Sequence, residues 1–356
     1  MGTLRQRRSA RIALPFAASI LLAGCANPVP DSSRDARTGA AAAMRFVYSP
    51  YKHVPIALDP VTHAISTAVR GAPTPLVVHG RSTLPSGITA LTLAFATGEC
   101  GHESWDGMDP QVWVDANLPA FDRAGIDFIV STGGEAAAFT CASDAGMEAF
   151  ISRYMSPRLI GFDFDIERGQ SDAVLASLVE RIAAAQRRHP PLRFSFTLAT
   201  WAANDGSLAS LNADGERVMR AIRAAGLDDY FINLMVMDYG EARPGNCVVS
   251  ANVCDMGLSA IQAARNLNAR HGVPLRRIEL TPMLGVNDVV ANVFSLDDAK
   301  TLAVFARENG LAGVHFWSLD RDAPCPGGAS GVSSTCSGLP GVGAYGFTVV
   351  LRDALR

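Results

Sequence analysis

The sequence predicts an α/β fold, a closed (β/α)8 barrel of the TIM type without an inserted α+β domain. Two observations carry this. Eight apolar, strand-like runs alternate with helical patterns over roughly 300 residues, which implies a parallel sheet long enough to close. Polar and aromatic residues collect where these runs finish, at Ser131-Thr132-Gly133-Gly134, Glu167, Thr200-Trp201, Asp238-Tyr239, Asn287-Asp288 and Trp317, whereas the run beginnings lack them. Barrels carry their sites at the carboxyl ends of the strands. A doubly wound open sheet would use fewer units and a glycine fingerprint after its first strand, and none appears.

Before the first strand lies a leader. Arg5, Arg7, Arg8 and Arg11 precede an apolar stretch from Ile12 to Leu22, too short to span a membrane, so residues 1–24 read as a secretory signal. Leu22-Ala23-Gly24-Cys25 resembles the lipobox of bacterial lipoproteins, which implies cleavage before Cys25 and lipidation of its sulfur. Residues 25–43, rich in Pro, Ser, Asp and Ala, form a flexible tether, and the folded domain occupies 44–356. The formal charge of −3 includes the four leader arginines, leaving about −7 for the body, so a nucleic-acid partner is excluded. A monomer reaching the membrane only through its lipid is expected.

Seven cysteines fit export: with Cys25 lipidated, six remain to pair in an oxidising compartment. Cys247 with Cys254, and Cys325 with Cys336, each bracket a short loop. Cys100 and Cys141 lie just past two strand ends and form the third candidate pair. The alternative for them, a metal site, lacks a C-x-x-C spacing or a nearby histidine pair.

The strands are expected at 45–49, 88–97, 127–132, 159–167, 193–200, 230–238, 277–284 and 313–319. Helices are expected at 112–123, at 172–188 after the N-cap Ser171, at 216–225, at 259–270, and at 296–308, where Ser295 and Asp298 make a capping box.

The fourth strand, Leu159-Ile-Gly-Phe-Asp-Phe-Asp-Ile-Glu167, is the most informative. Alternation puts Asp163, Asp165 and Glu167 on one face and Phe162, Phe164 and Ile166 on the other. The phenylalanines then pack under the helices while the acids face the barrel axis and its rim. Buried carboxylates cost several kcal/mol each unless paired, protonated or used. Three so close cannot all ionise, so a proton shared by Asp163 and Asp165 is expected. Glu167, beside an anion and partly enclosed, should have a raised pKa and serve as general acid. Asp165 is placed to stabilise positive charge or orient an amide beside the scissile bond. A divalent-metal site made of the three acids is the alternative, but no histidine or further acid completes it.

Gly161-Phe162-Asp163-Phe164-Asp165-Ile166-Glu167 resembles the D-G-x-D-x-D-x-E signature of glycoside hydrolase family 18, the chitinases and their relatives. Ser131-Thr132-Gly133-Gly134 resembles the family's S-x-G-G, Met235-Val236-Met237-Asp238-Tyr239 its sixth-strand motif, and Trp317 its eighth-strand tryptophan. Ile160 departs from the motif by replacing its first Asp. The common form Met-x-Tyr-Asp aligns Met237 with the tyrosine, and a one-residue shift, preferred here, makes Tyr239 its equivalent.

The resemblance implies retaining, substrate-assisted endo-hydrolysis of β-1,4-linked N-acetylglucosamine polymers, without metal or organic cofactor. Glu167 would be acid and then base, Asp165 would hold the acetamido N–H, and Asp163 would tune Asp165. Tyr239 would hydrogen-bond the acetamido oxygen, and Asp238 would support the same group. Met235 and Met237 would line the site, and Trp317, Trp201 and Trp105 would stack on sugars, with Trp113 left to the core. The short 285–295 segment implies an open cleft. The alternatives are a carbohydrate-binding lectin on the same fold and an endo-β-N-acetylglucosaminidase acting on N-glycans or related glycans.

Overall fold

The protein was analysed as a computed structural model that describes residues 45–328 and 331–356. The expected leader, tether and Cys25 lie outside the described residues. Eight parallel strands close a barrel. Strand β1 runs in two pieces, Val47–Tyr48 and Tyr51–His53, interrupted at Pro50. It is followed by β2 (Ala90–Glu99), β3 (Asp127–Gly133), β4 (Leu159–Asp165), β5 (Arg193–Ala199), β6 (Phe231–Met235), β7 (Ile278–Thr281) and β8 (Gly313–Val314). The first piece of β1 pairs with β8 (Val47 with Gly313) and the second with β2 (Tyr51 with Thr92), so the one broken strand seals the cylinder.

Among the described residues seven α-helices surround it: α1 (Pro110–Ala124), α2 (Asp144–Tyr154), α3 (Asp172–Arg188), α4 (Ala213–Ala225), α5 (Met256–His271), α6 (Leu296–Glu308) and α7 (Gly346–Leu355). The Ser295–Asp298 capping box is present at α6. Helices α4 and α5 start three residues earlier than their patterns suggest, because Asn212 and Asp255 cap them through the Gly215 and Leu258 amides. No helix follows β1. Two small hairpins fill that place, Ser66–Thr67 with Thr74–Pro75 and Val77–Val78 with Arg81–Ser82. Between β7 and α6 the described chain holds only the hairpin Gly285–Val286 with Val293–Phe294, in agreement with the absence of an inserted domain.

Side chains divide across the β4 strand as alternation requires. Phe162 packs against Phe150, Tyr154 and Phe194, and Phe164 against Phe139 and Phe196, all under the helices. The opposite face looks into the barrel. Ile160, where the family motif has its first Asp, lies at the other end of the cylinder with Arg158 and Pro191. Inside the barrel Arg193 is ion-paired with Glu279, whose carboxyl is held down at about 2 by Arg193 and His315 despite complete burial.

The six cysteines form three bridges as expected: Cys100–Cys141, Cys247–Cys254 and Cys325–Cys336. Among the described residues the single grouping with metal-like spacing is Glu99 with Cys100 and Cys141, and both of those sulfurs belong to a disulfide. No described helix is long and apolar enough to cross a membrane.

Lys52 and Asp320 form a buried ion pair at 2.7 Å, completed by Lys52 donating to the His53 and Ile56 carbonyls and by Thr67 donating to Asp320. Asp320→Ala leaves the ammonium buried without its partner, and a loss of about 3–5 kcal/mol is expected in urea unfolding. The apolar double replacement Lys52→Met with Asp320→Leu should recover most of it.

Candidate active site

At the carboxyl ends of the strands lies a cleft of about 280 Å³, with Asp165 and Glu167 in its lining. Aromatic rings wall one side, where Trp317 stacks on Phe95 with 5.6 Å between ring centroids and lies 6.0 Å from the ring of Tyr51. Trp201, Met235, Met237 and Asp238 line it as well.

Asp163 is buried beneath this floor, and four hydroxyls donate to it. Ser195 (2.8 Å) and Thr197 (2.7 Å) reach Oδ1, and Ser131 (2.7 Å) and Tyr51 (2.9 Å) reach Oδ2. Asn233 secures the arrangement by donating to Tyr51 and Thr197 while accepting from Thr281. Burial pushes the Asp163 carboxyl up, and the four donors hold it back.

Asp165 has no such support. Its Oδ1 is buried without a hydrogen-bond partner, and burial, then the charges of Glu167 and Asp163, drive its carboxyl well above the usual range. It hydrogen-bonds Glu167. The cluster's proton therefore lies between Asp165 and Glu167. The expectation of a proton shared by Asp163 and Asp165 is corrected, because hydroxyls rather than a neighbouring acid occupy both Asp163 oxygens. Burial and the charges of Glu135, Asp238 and Asp288 raise Glu167 to about 7, with the Asp165 hydrogen bond opposing them.

Two glycines make the floor possible. Gly133 and Gly134 both take φ near +80°, at 85° and 81°. A Cβ on Gly133 would stand 2.1 Å from the Asp165 carbonyl oxygen, which accepts the Gly134 amide at 3.1 Å. The resemblance to S-x-G-G thus has a steric basis here.

Other expectations fail. Tyr239 is fully buried, its hydroxyl has no partner, and it is not in the cleft lining, where Met237 appears instead. The cause is local: β6 ends at Met235, and Asp238 takes a left-handed φ of 49°, which turns the following side chain away from the cleft. Asp238 is fixed across that turn by the Val289 amide at 2.7 Å. Trp105 is also absent from the cleft. It is 1% exposed, stacks on Trp113 at 4.4 Å and donates its indole N–H to Tyr154, so burial against the helices outweighs exposure to a ligand.

Sequence reasoning missed Tyr51 and Glu135. Pro50 hid Tyr51 by ending the expected strand at 49, while Glu135 directly follows the glycine pair. Asp288 stood in a noted strand-end cluster without a role, and it too lines the cleft.

No family model matches the chain. Over 229 residues it is 29% identical to Endochitinase 11 of Metarhizium anisopliae, covering 59% of this chain and 42% of that protein. Over 244 residues it is 29% identical to a probable bifunctional chitinase/lysozyme of Escherichia coli K12, covering 63% of this chain and 26% of that protein. The chain thus spans less than half the length of these curated relatives. Among solved structures, catalytic-site mutants of active domain 2 of a thermostable chitinase from Pyrococcus furiosus, complexed with chito-oligosaccharides, share the fold. The TM-score is 0.65 at 23% identity, over 88% of this chain and 95% of that one. A group IV chitinase of Ostrinia furnacalis in complex with allosamidin gives a TM-score of 0.53 at 11% identity, over 87% and 98%.

Glu167 titrates near 7 when folded against an ordinary value of 4.5, so the folded state keeps a proton that the unfolded chain releases between those pH values. The group's stability contribution is full below about 4.5 and is lost as pH rises through about 7. Glu167→Gln should therefore be more stable than the parent at about pH 8, by about 2–3 kcal/mol, with the gain gone at about pH 4 in denaturant titrations. Tyr239→Phe, which removes an unpartnered hydroxyl, should leave both stability and turnover within about twofold of the parent values.

Proposed function

We propose that this chain, a homologue of the family 18 chitinases, hydrolyses β-1,4-linked N-acetylglucosamine polymers by a retaining, substrate-assisted route. The observation that carries the reading is the Asp165–Glu167 hydrogen bond at the floor of an aromatic-walled cleft, with Glu167 poised near 7. Glu167 protonates the glycosidic oxygen, and the sugar's own acetamido oxygen attacks the anomeric carbon. The pair of electrons leaves with the protonated oxygen, and an oxazolinium ion forms. Glu167, now a carboxylate, takes a proton from water as the ring is opened. The scheme needs one proton donor rather than an acid and a separate carboxylate nucleophile.

Asp165 holds the acetamido N–H and faces the developing positive charge. Asp163 and its four hydroxyls fix the base of Asp165. Asp238 supports the acetamido group from the side, and Tyr239 takes no part. Trp317 is the floor under the cleaved sugar, and Trp201 extends the platform. Only a short hairpin stands between β7 and α6, with no inserted domain to wall the cleft there, which suits internal cleavage of long chains.

The three disulfides support an exported protein. Within this reading residues 1–24 direct export, Cys25 carries a lipid that anchors the chain, 25–43 form the tether and 44–356 the catalytic domain. The protein works as a monomer.

Glu167→Gln should lower kcat on chitohexaose by about 10²–10⁴ while oligosaccharide binding persists. Parent activity should fall as pH rises through about 7, as Glu167 loses its proton. Oligomers lacking the acetyl group at the scissile sugar should not be cut. Binding without turnover by the parent protein would instead favour the lectin reading, and selective cleavage of N-glycan cores the endoglycosidase one.

A further inference from the structure

The loop after β5 leaves the barrel and returns to it as a narrow hairpin. Thr200 bridges Leu211, the Trp201 amide donates to the Ser210 carbonyl at 3.2 Å, and the Ala203 amide donates to the Ala209 carbonyl at 3.3 Å. Its tip, 204–208, is exposed, while Ala202, Ala203, Ser210 and Leu211 are buried. Trp201, at the base of the first arm, is half-buried and lines the cleft. An indole in that position binds a sugar only as well as its loop is held still, because ordering a mobile platform on binding costs affinity.

Two grips hold the loop. Along the first arm the Ala202 amide donates to the Asn246 carbonyl at 2.8 Å and the Asn204 amide to the Pro244 carbonyl at 2.6 Å, and the Cys247–Cys254 bridge follows directly behind that segment. The second grip is one side chain. Asn266, in the body of α5 and 0% exposed, donates from Nδ2 to the Ala203 carbonyl at 2.8 Å and to the Ala209 carbonyl at 3.1 Å, so a single amide spans both arms. Its Oδ1 accepts from Gln262 at 2.7 Å. Asparagine is a poor helix former and costly to bury unpaired. Its buried neighbours on the helix, Ala263, Ala264 and Leu267, are apolar, and an apolar residue at 266 would pack there too. What the amide adds is its hold on two carbonyls of the loop that carries Trp201.

We infer that Asn266 is a positioning residue for substrate: from behind the barrel strands it clamps the two arms of the 200–211 loop and so fixes the Trp201 indole as a preformed sugar platform. This rests on the sugar-binding part of the proposed function and deepens it. Asn266 touches no sugar and no reacting atom. It acts through Trp201 alone, so its removal weakens the grip on the glycan and leaves the proton chemistry of Glu167 in place.

The test is a double-mutant cycle on the full chain, read as binding of chitohexaose by calorimetry in the Glu167→Gln background, where turnover does not intervene. Trp201→Ala and Asn266→Leu should each weaken binding about three- to tenfold, and the two together should bind within about twofold of Trp201→Ala alone. Asn266→Ser keeps one hydroxyl donor and should fall between the parent and Asn266→Leu; it carries the cycle if the leucine variant does not fold. With Glu167 restored, the Asn266 replacements should raise KM for chitohexaose by the same factor and keep kcat within about twofold, the split expected of a group that acts on binding rather than on the transition state. Effects of Asn266 and Trp201 that simply multiply, binding unchanged in both Asn266 variants, or a loss confined to kcat would overturn the inference alone. A parent protein that binds chitohexaose and never cuts it overturns the hydrolase reading, while a non-additive cycle still upholds this one. No binding at all overturns both.

Discussion

Three acids on one face of a strand pointing into a barrel form a cluster that no single environment can stabilise. The structure resolves the conflict by giving each acid a different one. Asp163 receives four hydroxyl donors, Asp165 has none and burial drives its carboxyl well above the usual range, and Glu167 is the less buried of the two acids that line the cleft. Everything else near the site follows from this graded arrangement. Ser131, Ser195 and Thr197 project inward from β3 and β5 because Asp163 needs donors from both neighbours, and Asn233 and Thr281 continue the network across β6 and β7. Reactivity at the top of the strand is thus supported by a well-bonded carboxylate, Asp163, two residues before Asp165.

The cleft face also concentrates the covalent restraints. Cys100–Cys141 joins the segments after β2 and β3, Cys247–Cys254 closes the segment after β6, and Cys325–Cys336 the one after β8. Loops at the ends of barrel strands are where substrates are read and where conformational entropy is highest. Bridging them there limits that freedom without crowding the core.

The alternation of runs was enough to locate all eight strands, since buried parallel strands need continuous apolar sequence. The acid-bearing strand and the glycine pair were legible for a similar reason: each imposes a pattern that few other structures tolerate. Tyr51 was hidden because a strand can resume after a proline when its partners on either side still offer hydrogen bonds. Tyr239 misled because one left-handed residue at Asp238 breaks the two-residue period on which the reading relied. Trp105 misled because a loop position does not reveal that another indole waits beneath it. Helices α2 and α7 were not anticipated. The Ser143 cap of α2 is one polar residue among several, and α7 has no side-chain cap at all.

The contact between Gly133 and the Asp165 carbonyl is between two backbones. It has no stake in whether a proton is ever transferred. A descendant that lost Glu167 and kept only sugar recognition would still need a residue without a Cβ where Gly133 meets the Asp165 carbonyl, so the glycine marks architecture, whereas the glutamate bears on catalysis. Searches for working members of such a lineage are better anchored on the acid than on the turn that seats it.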